Sequence, residues 1–368
     1  MENYNICSKC FLDPSISQYI EIEGIEDNCC LCNSQTNKVL DILSIDLSPF
    51  FDNIFYNDES ADNSNLENEN DFLELLKIFN LIKINENKKY IIKYYIDNKY
   101  PNLYNSFIIQ SSEISKRLQF DIWEKLQEEI KHERRFLFKE STLKLLSEMQ
   151  RYSFIFLETL KENTSLYRGR VGNYYNNNDF LTPPKDKAQH LRANSYGIPH
   201  LYLTNNKDCC INECRLSYPN SISIATFSLK EDLNLLNLTK KPSIIEMCRI
   251  ADGMEPENLF KILVVFSHMY EEMSKPVYDD KKHLDYILTQ LFTECFKFAH
   301  ESIKEKETQP IDGIIFRSSF DFNDNKNWKN YVIFNGDNIL ECTGIEHYSW
   351  VYENKLHKLE LFNSSTNR

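Results

Sequence analysis

Glycine is scarce here, with 8 residues in a chain of 368. Neither a GxGxxG turn nor a GxxxxGK(S/T) loop occurs. Both devices cradle phosphates with backbone N–H groups at a helix N-terminus. Without them, any nucleotide must be held by side chains, arginine above all. Positive charge is also short: the net charge is -13. That disfavours nucleic acid and anionic membrane as partners, because both need clustered cations. No apolar run approaches the roughly 18 to 20 residues of a membrane helix. The opening MENYNICSKC has neither the basic start nor the apolar stretch of a secretory signal. The expectation is a cytoplasmic protein with reduced cysteines and no membrane partner.

What the chain does have begins with cysteine. Five of its 11 cysteines fall in the first 32 residues. Cys7 and Cys10 form one CxxC pair, and Cys29 and Cys32 a second. Two such pairs about 20 residues apart present four thiolates tetrahedrally to zinc. Cys30 is the spare thiol and a substitute for either neighbour. Four thiolates leave no open position, so the expected Zn2+ is structural. The alternative is four ordinary buried thiols.

The chain then changes texture several times. Residues 1–45 read as the zinc knuckle. Residues 46–160 read as a mostly helical adaptor that opens on an acidic linker. Val39–Leu76 carries ten acidic residues and no Lys or Arg. DFLELLKIFNLI has helical spacing, and KKYIIKYYI favours a strand. Residues 111–160 read as helical, with Ser111 or Ser112 as a cap. Lys131, His132, Arg134 and Arg135 form a basic cluster there, a solvated face or a contact for a partner or phosphate.

Residues 161–345 alternate short apolar strands with polar loops. LYRGRV, HLYLT, SISIATFSL, LNLLNLT, DGIIFRSS and NYVIF read as strands, and KDCCINECRLS as a helix. KILVVFSHMY is strand or buried helix, and residues 283–304 form an amphipathic helix. Residues 346–368 are set apart as a C-terminal tail that frays at its end. The fold class is α+β, with two packed sheets in the second half.

The stretch from Leu166 to Arg215 concentrates the reactive groups. Arg168, Arg170 and Arg192 are suited to gripping an anion. Tyr202 sits in the apolar LYL, and Glu213 in a helix-like segment. Ser318 and Ser319 follow much later. Singly, such an arginine is more often a surface residue and such a glutamate a solvated helix position; together they also suit a pocket that breaks the nicotinamide–ribose bond of NAD+. Guanidiniums bind the pyrophosphate, an aromatic ring walls the nicotinamide, and a carboxylate stabilises the oxocarbenium-like transition state. Nicotinamide leaves as a neutral molecule, so no strong general acid is needed.

LYRGR, PP, RANSYGIPHLYLT and NECR, in that order, resemble the RES family, named for its Arg, Glu and Ser. The likeness continues through LNLLNLT, SKPVYDDKKHLDYILTQ, DGIIFRSS and NYVIF, over roughly residues 164–336. The front half resembles the domain found ahead of RES and HEPN modules, through its CxxCF and CxxC knuckles and IWEKLQEEIKHERRF. The resemblance implies an ADP-ribosyltransferase-like fold and an enzyme that consumes NAD+ by phosphorolysis or hydrolysis, as a toxin or phage-defence effector. Transfer of ADP-ribose to a protein or nucleic acid is the alternative. A zinc-dependent module that senses nucleotide without turnover is the third reading.

By position, the likeness gives catalytic roles to Glu213, Arg168, Tyr202 and Ser318. It gives binding of NAD+ to Arg168, Arg192, Asn194, Tyr202 and Ser319. An antitoxin or other regulatory protein partner is expected, since unchecked NAD+ loss would harm the host. Homo-oligomerisation is left open. Two positions depart from the family pattern. Asn237 stands where an acidic residue is common, and Phe316–Arg317 where a Tyr commonly precedes the serine. Arg317 either favours phosphate as acceptor or points outward.

Overall fold

The structure, a computed structural model, describes residues 4–35, 37–54, 76, 81–83, 88–101, 103–104, 107, 122–239, 243–250, 256–276, 282–299, 310–321, 326–353 and 356–361. Two units emerge: Met1–Leu126 with Lys241–His268, and Gln127–Lys240 with Met269–Arg368. Residues 127–160 thus fall with the second unit, whereas the change in sequence texture sets a boundary at 160/161. The DFLELLKIFNLI helix and the Ser111/Ser112 cap lie outside the described residues, save Leu76, Leu81 and Ile82.

The first unit opens with three short strands, β1 (Asn5–Cys7), β2 (Ile25–Asp27) and β3 (Asn37–Asp41). They form an antiparallel sheet in the order β1-β3-β2. Helix α1 (Pro14–Glu23) begins at Asp13, with Pro14 in its first turn, where a missing N–H costs nothing. The Asp13 carboxylate accepts from Ser15 N at 3.0 Å and Ile16 N at 3.3 Å. It also accepts from Ile244 N at 2.7 Å and Ile245 N at 3.2 Å, at the start of α7 (Ile244–Ile250). One side chain therefore caps two helices.

KKYIIKYYI, expected as a strand, is instead helix α3 (Tyr90–Lys99). Its buried residues are Ile91, Ile92, Tyr95 and Ile96, a helical stripe. A strand would have placed Lys93 on the buried face with Ile91 and Tyr95. Tyr95 packs against Phe51 of helix α2 (Ser48–Ile54), with ring centroids 5.6 Å apart, and its hydroxyl accepts from Leu47 N. The helical reading of residues 111–160 holds in α4 (Ile122–Glu128) and α5 (Glu140–Arg151) but fails at its end, where Leu157–Leu160 is a strand paired with Leu233–Leu236.

The described residues of the second unit form nine strands: β4 (Leu157–Leu160), β5 (Ser165–Val171), β6 (Leu201–Thr204), β7 (Ile222–Leu229), β8 (Leu233–Asn237), β9 (Gly313–Arg317), β10 (Lys329–Ile333), β11 (Leu340–Glu353) and β12 (Leu356–Leu361). Their order is β12-β11-β7-β5-β6-β10-β9-β8-β4. Among the described residues, only β8 and β9 pair in parallel. The two expected sheets are thus one hydrogen-bonded sheet, nearly divided: β5 meets β6 through the single pair Tyr167↔Thr204. The segment set apart as a tail is also different. β11 pairs with β7 and β12 with β11, so this hairpin extends the sheet to its edge.

Leu166, Leu201, Leu203, Ala225, Phe227 and Ile333 belong to one hydrophobic core of the second unit. On another side, Cys210 of helix α6 (Lys207–Glu213) packs with Ile222 and Ile224. KILVVFSHMY, left open between strand and helix, lies in helix α8 (Pro256–Ser274). Helix α9 (Lys282–Lys297) realises the expected amphipathic helix. The basic cluster begins on a wide turn closed by Arg134 N donating to Glu129 O. Buried Glu129 accepts from Lys139 N and Thr142 Oγ1 there, and Lys131 faces Asp285 at 3.4 Å. No helix among the described residues is long and apolar enough to cross a membrane.

Candidate functional site

The N-terminal thiols come together as the spacing predicts. The sulfurs of Cys7, Cys10, Cys29 and Cys32 all lie within 4.8 Å of one another. Cys7 and Cys32 are 3.7 Å apart, and Cys10 and Cys29 3.8 Å. Tetrahedral zinc with Zn–S near 2.3 Å places its sulfurs about 3.8 Å apart. Cys7 N and Asn37 Nδ2 donate to sulfurs of the set, which favours thiolates. The four residues therefore suit a structural zinc ion. Cys30 stands outside the group, its N–H bonded to Asn5 O.

The second unit contains a cavity of about 560 Å³ at the seam where β5 and β6 part. Strands that diverge leave side chains without cross-strand neighbours, and these turn into the gap. Arg168, Arg192, Tyr202, Glu213 and Ser319 all line it. Five residues distant in sequence thus surround one space.

Glu213 ends α6, whose N-cap is Asn206; the Asn206 side chain accepts from Asp208 N and Cys209 N. Glu213 Oε1 accepts from Ser318 Oγ at 2.6 Å and from Asn330 Nδ2 at 2.7 Å. Ser318 is buried just beyond β9, and its oxygen also accepts from Phe320 N. The two serines therefore divide their tasks: Ser318 holds the carboxylate, and Ser319 faces the cavity. Asn330 was not anticipated. It sits on β10 opposite Thr204, and an Asn inside an apolar strand was its only sequence signal.

Arg168 projects from β5. Burial pushes its guanidinium down to about 10, with the Arg170 charge adding to the effect, so it stays charged at neutral pH. Its Nη1 is buried and has no hydrogen-bond partner among the described residues. A buried cationic donor without a partner is costly unless an anion meets it. Arg192 is differently engaged. Its two terminal nitrogens donate to Glu272 O and Lys275 O, carbonyls at the end of α8, and its guanidinium lies 5.3 Å from the Tyr286 ring. Arg192 thus brings charge to the cavity wall with part of its donor set spent on a helix terminus.

The Tyr202 hydroxyl donates to Asn194 Oδ1 at 2.7 Å and accepts from Ala193 N at 3.1 Å. Burial pushes that phenol above its ordinary range. The Asn194 amide donates to Gln189 O and Ser195 O, so Asn194 serves the loop and is not part of the cavity wall. Helix α9 pins the same loop. Gln290 Nε2 donates to Leu191 O and Asn194 O, and Thr289 Oγ1 donates to Arg192 O. Both residues are buried polar positions of the amphipathic helix. They were detectable only as polar interruptions of its apolar stripe.

Asn237 and Arg317, the two positions set against the resemblance, also have places. Asn237 Nδ2 donates to Glu158 Oε2 at 2.7 Å, and its oxygen accepts from Thr239. An acid at 237 would face the Glu158 carboxylate. Arg317 lies over the Tyr270 ring at 5.8 Å and is not part of the cavity wall, whereas Phe316 is.

No family model, no curated protein and no solved structure matches the chain.

Proposed function

We propose that the seam cavity binds NAD+ and cleaves its nicotinamide–ribose bond, passing the ADP-ribosyl group to water or phosphate. The observation that carries this is the Glu213 carboxylate. One oxygen is fixed by Ser318 and Asn330, and the residue lines the same cavity as Arg168 with its unpartnered buried nitrogen.

Arg168 holds a pyrophosphate oxygen, and Arg192 adds charge beside it. The volume falls within the roughly 300–1,000 Å³ of small-molecule sites. As the C–N bond lengthens, positive charge grows on the ribose. Glu213, already oriented, stabilises that charge without reorganising. Nicotinamide departs neutral, taking the bonding electrons onto its ring nitrogen. Tyr202 is fixed by the 193–194 backbone and side chain, and so offers a rigid aromatic wall.

The test follows nicotinamide release from NAD+ by the full chain, with and without phosphate. The expected result is turnover that falls by about 100-fold or more in Glu213→Gln, because the carboxylate acts in the transition state. Equal turnover by both proteins would exclude the assignment. Label from NAD+ retained on a macromolecule would move the acceptor from small molecule to polymer.

A further inference from the structure

The NAD+ reading leaves one pair of reactive side chains in the cavity wall unexplained. Helix α6 carries Cys210, and Cys214 is its C-cap residue, four residues on and so on the same face. Both line the cavity. Gly169 of β5 explains how they fit. A Cβ at Gly169 would lie 2.9 Å from the Cys210 sulfur and 2.8 Å from the Cys214 sulfur. The two sulfurs therefore converge on one point of the strand. Cys210 is 2% exposed, while Cys214 is partly open. One thiol is reachable and its neighbour is sheltered behind it.

Charge sorts their roles. A hydrogen bond from Cys210 favours the thiolate at Cys214; burial and Glu213 oppose it, and the Arg168 charge supports it, leaving Cys214 below the ordinary thiol value. Cys210 moves the other way, through that same hydrogen bond and burial. The thiolate is the nucleophile in sulfur chemistry.

We propose that Cys210 and Cys214 form a peroxide-responsive dithiol, whose closure to a disulfide draws Glu213 away from Ser318 and Asn330. The Cys214 thiolate attacks one oxygen of a hydroperoxide. An S–O bond forms, the O–O bond breaks, and the departing hydroxide or alkoxide leaves as water or alcohol after taking a proton. The Cys210 thiol then gives up its proton and attacks the sulfenic sulfur. The S–S bond forms, the S–O bond breaks, and hydroxide takes the proton to leave as water. Two thiols have lost two electrons to one peroxide.

Closure cannot leave the helix unchanged. Cβ atoms four residues apart on a helix are about 5–6 Å apart. A disulfide needs them about 3.5–4.5 Å apart. The last turn of α6 must tighten, and Glu213 lies in that turn. Cys214 is its C-cap, and Arg215 follows at a φ of 48°, so the chain is already leaving the helix where the pull acts.

The effect on turnover rests on the NAD+ reading; the thiol chemistry does not. The full chain is treated with hydrogen peroxide, digested and weighed, and its NAD+ turnover is measured before and after. The segment holding Cys210 and Cys214 should lose two hydrogens. Turnover should fall by about tenfold or more, since small displacements of a catalytic group are costly, and dithiothreitol should restore it. In Cys210→Ser, peroxide should leave a sulfenic acid on Cys214 that dimedone traps, with no disulfide. In Cys214→Ala the ratio of turnover with and without peroxide should stay near one. Two free thiols after peroxide overturn the proposal. So does a disulfide with unchanged turnover, or an equal fall in Cys214→Ala, which would place the damage elsewhere. A disulfide in a protein that never consumes NAD+ overturns the function reading and the switch, and leaves the dithiol.

Discussion

Glu213 is held at a single oxygen by two donors, Ser318 and Asn330. On the proposed NAD+ reading, its other oxygen meets the substrate. Replacing Asn330 with Ala removes one donor and lets the carboxylate turn. A lost hydrogen bond to a charged group costs about 1.5–3 kcal/mol. If the proposed NAD+ cleavage is the reaction, Asn330→Ala should therefore lower kcat for nicotinamide release by about 10- to 100-fold with a smaller change in KM, read by steady-state kinetics. A change confined to KM would make Asn330 a binding residue instead. Arg168, Tyr202 and Glu213 were singled out by their positions in the stretch that resembles the RES family, since no local pattern separates them from surface residues, and all three line one cavity. Asn330 was not, since its partner lies 117 residues away and nothing local marks it.

At the scale of elements, the strands of the second half were legible from short apolar runs between polar loops. The order in which they pair was not, because pairing is set by contacts distant in sequence. The error at Tyr90–Lys99 has a local cause. Ile and Tyr favour strands, but the four buried positions follow helical spacing, and burial overrides propensity. The double cap at Asp13 was equally hidden, since Asp-Pro announces α1 and says nothing of α7. Each cap is worth about 0.5–2 kcal/mol. Asp13 is 1% exposed, so its loss also strands four backbone N–H groups. Asp13→Ala should destabilise the protein by about 2–4 kcal/mol in urea unfolding. A loss no greater than that of a single cap would show that one helix start dispenses with it.

For the whole molecule, charge on a few buried groups sets the pH response of stability. His200 is 2% exposed, packed 5.0 Å from the Phe334 ring, with its Nε2 facing Lys297 Nζ at 3.3 Å. Burial first, and the Lys297 charge second, push it down to about 4 from 6.5. Between these values the unfolded chain binds a proton that the folded chain refuses. The contribution of His200 is complete above pH 6.5 and drains away as pH falls toward 4. That separation corresponds to about 3 kcal/mol. Glu129 and Glu346 also sit below their ordinary values, but as carboxylates they act lower, beneath about 4.5. The window from about pH 7 to about pH 5 therefore isolates the histidine from them. His200→Gln should reduce the stability lost between these two pH values by about 2 kcal/mol, measured by urea unfolding at both. Because the comparison is a slope, a uniform loss from poorer packing of the substituted amide side chain cancels. An unchanged slope would mean that His200 takes up its proton in the folded protein.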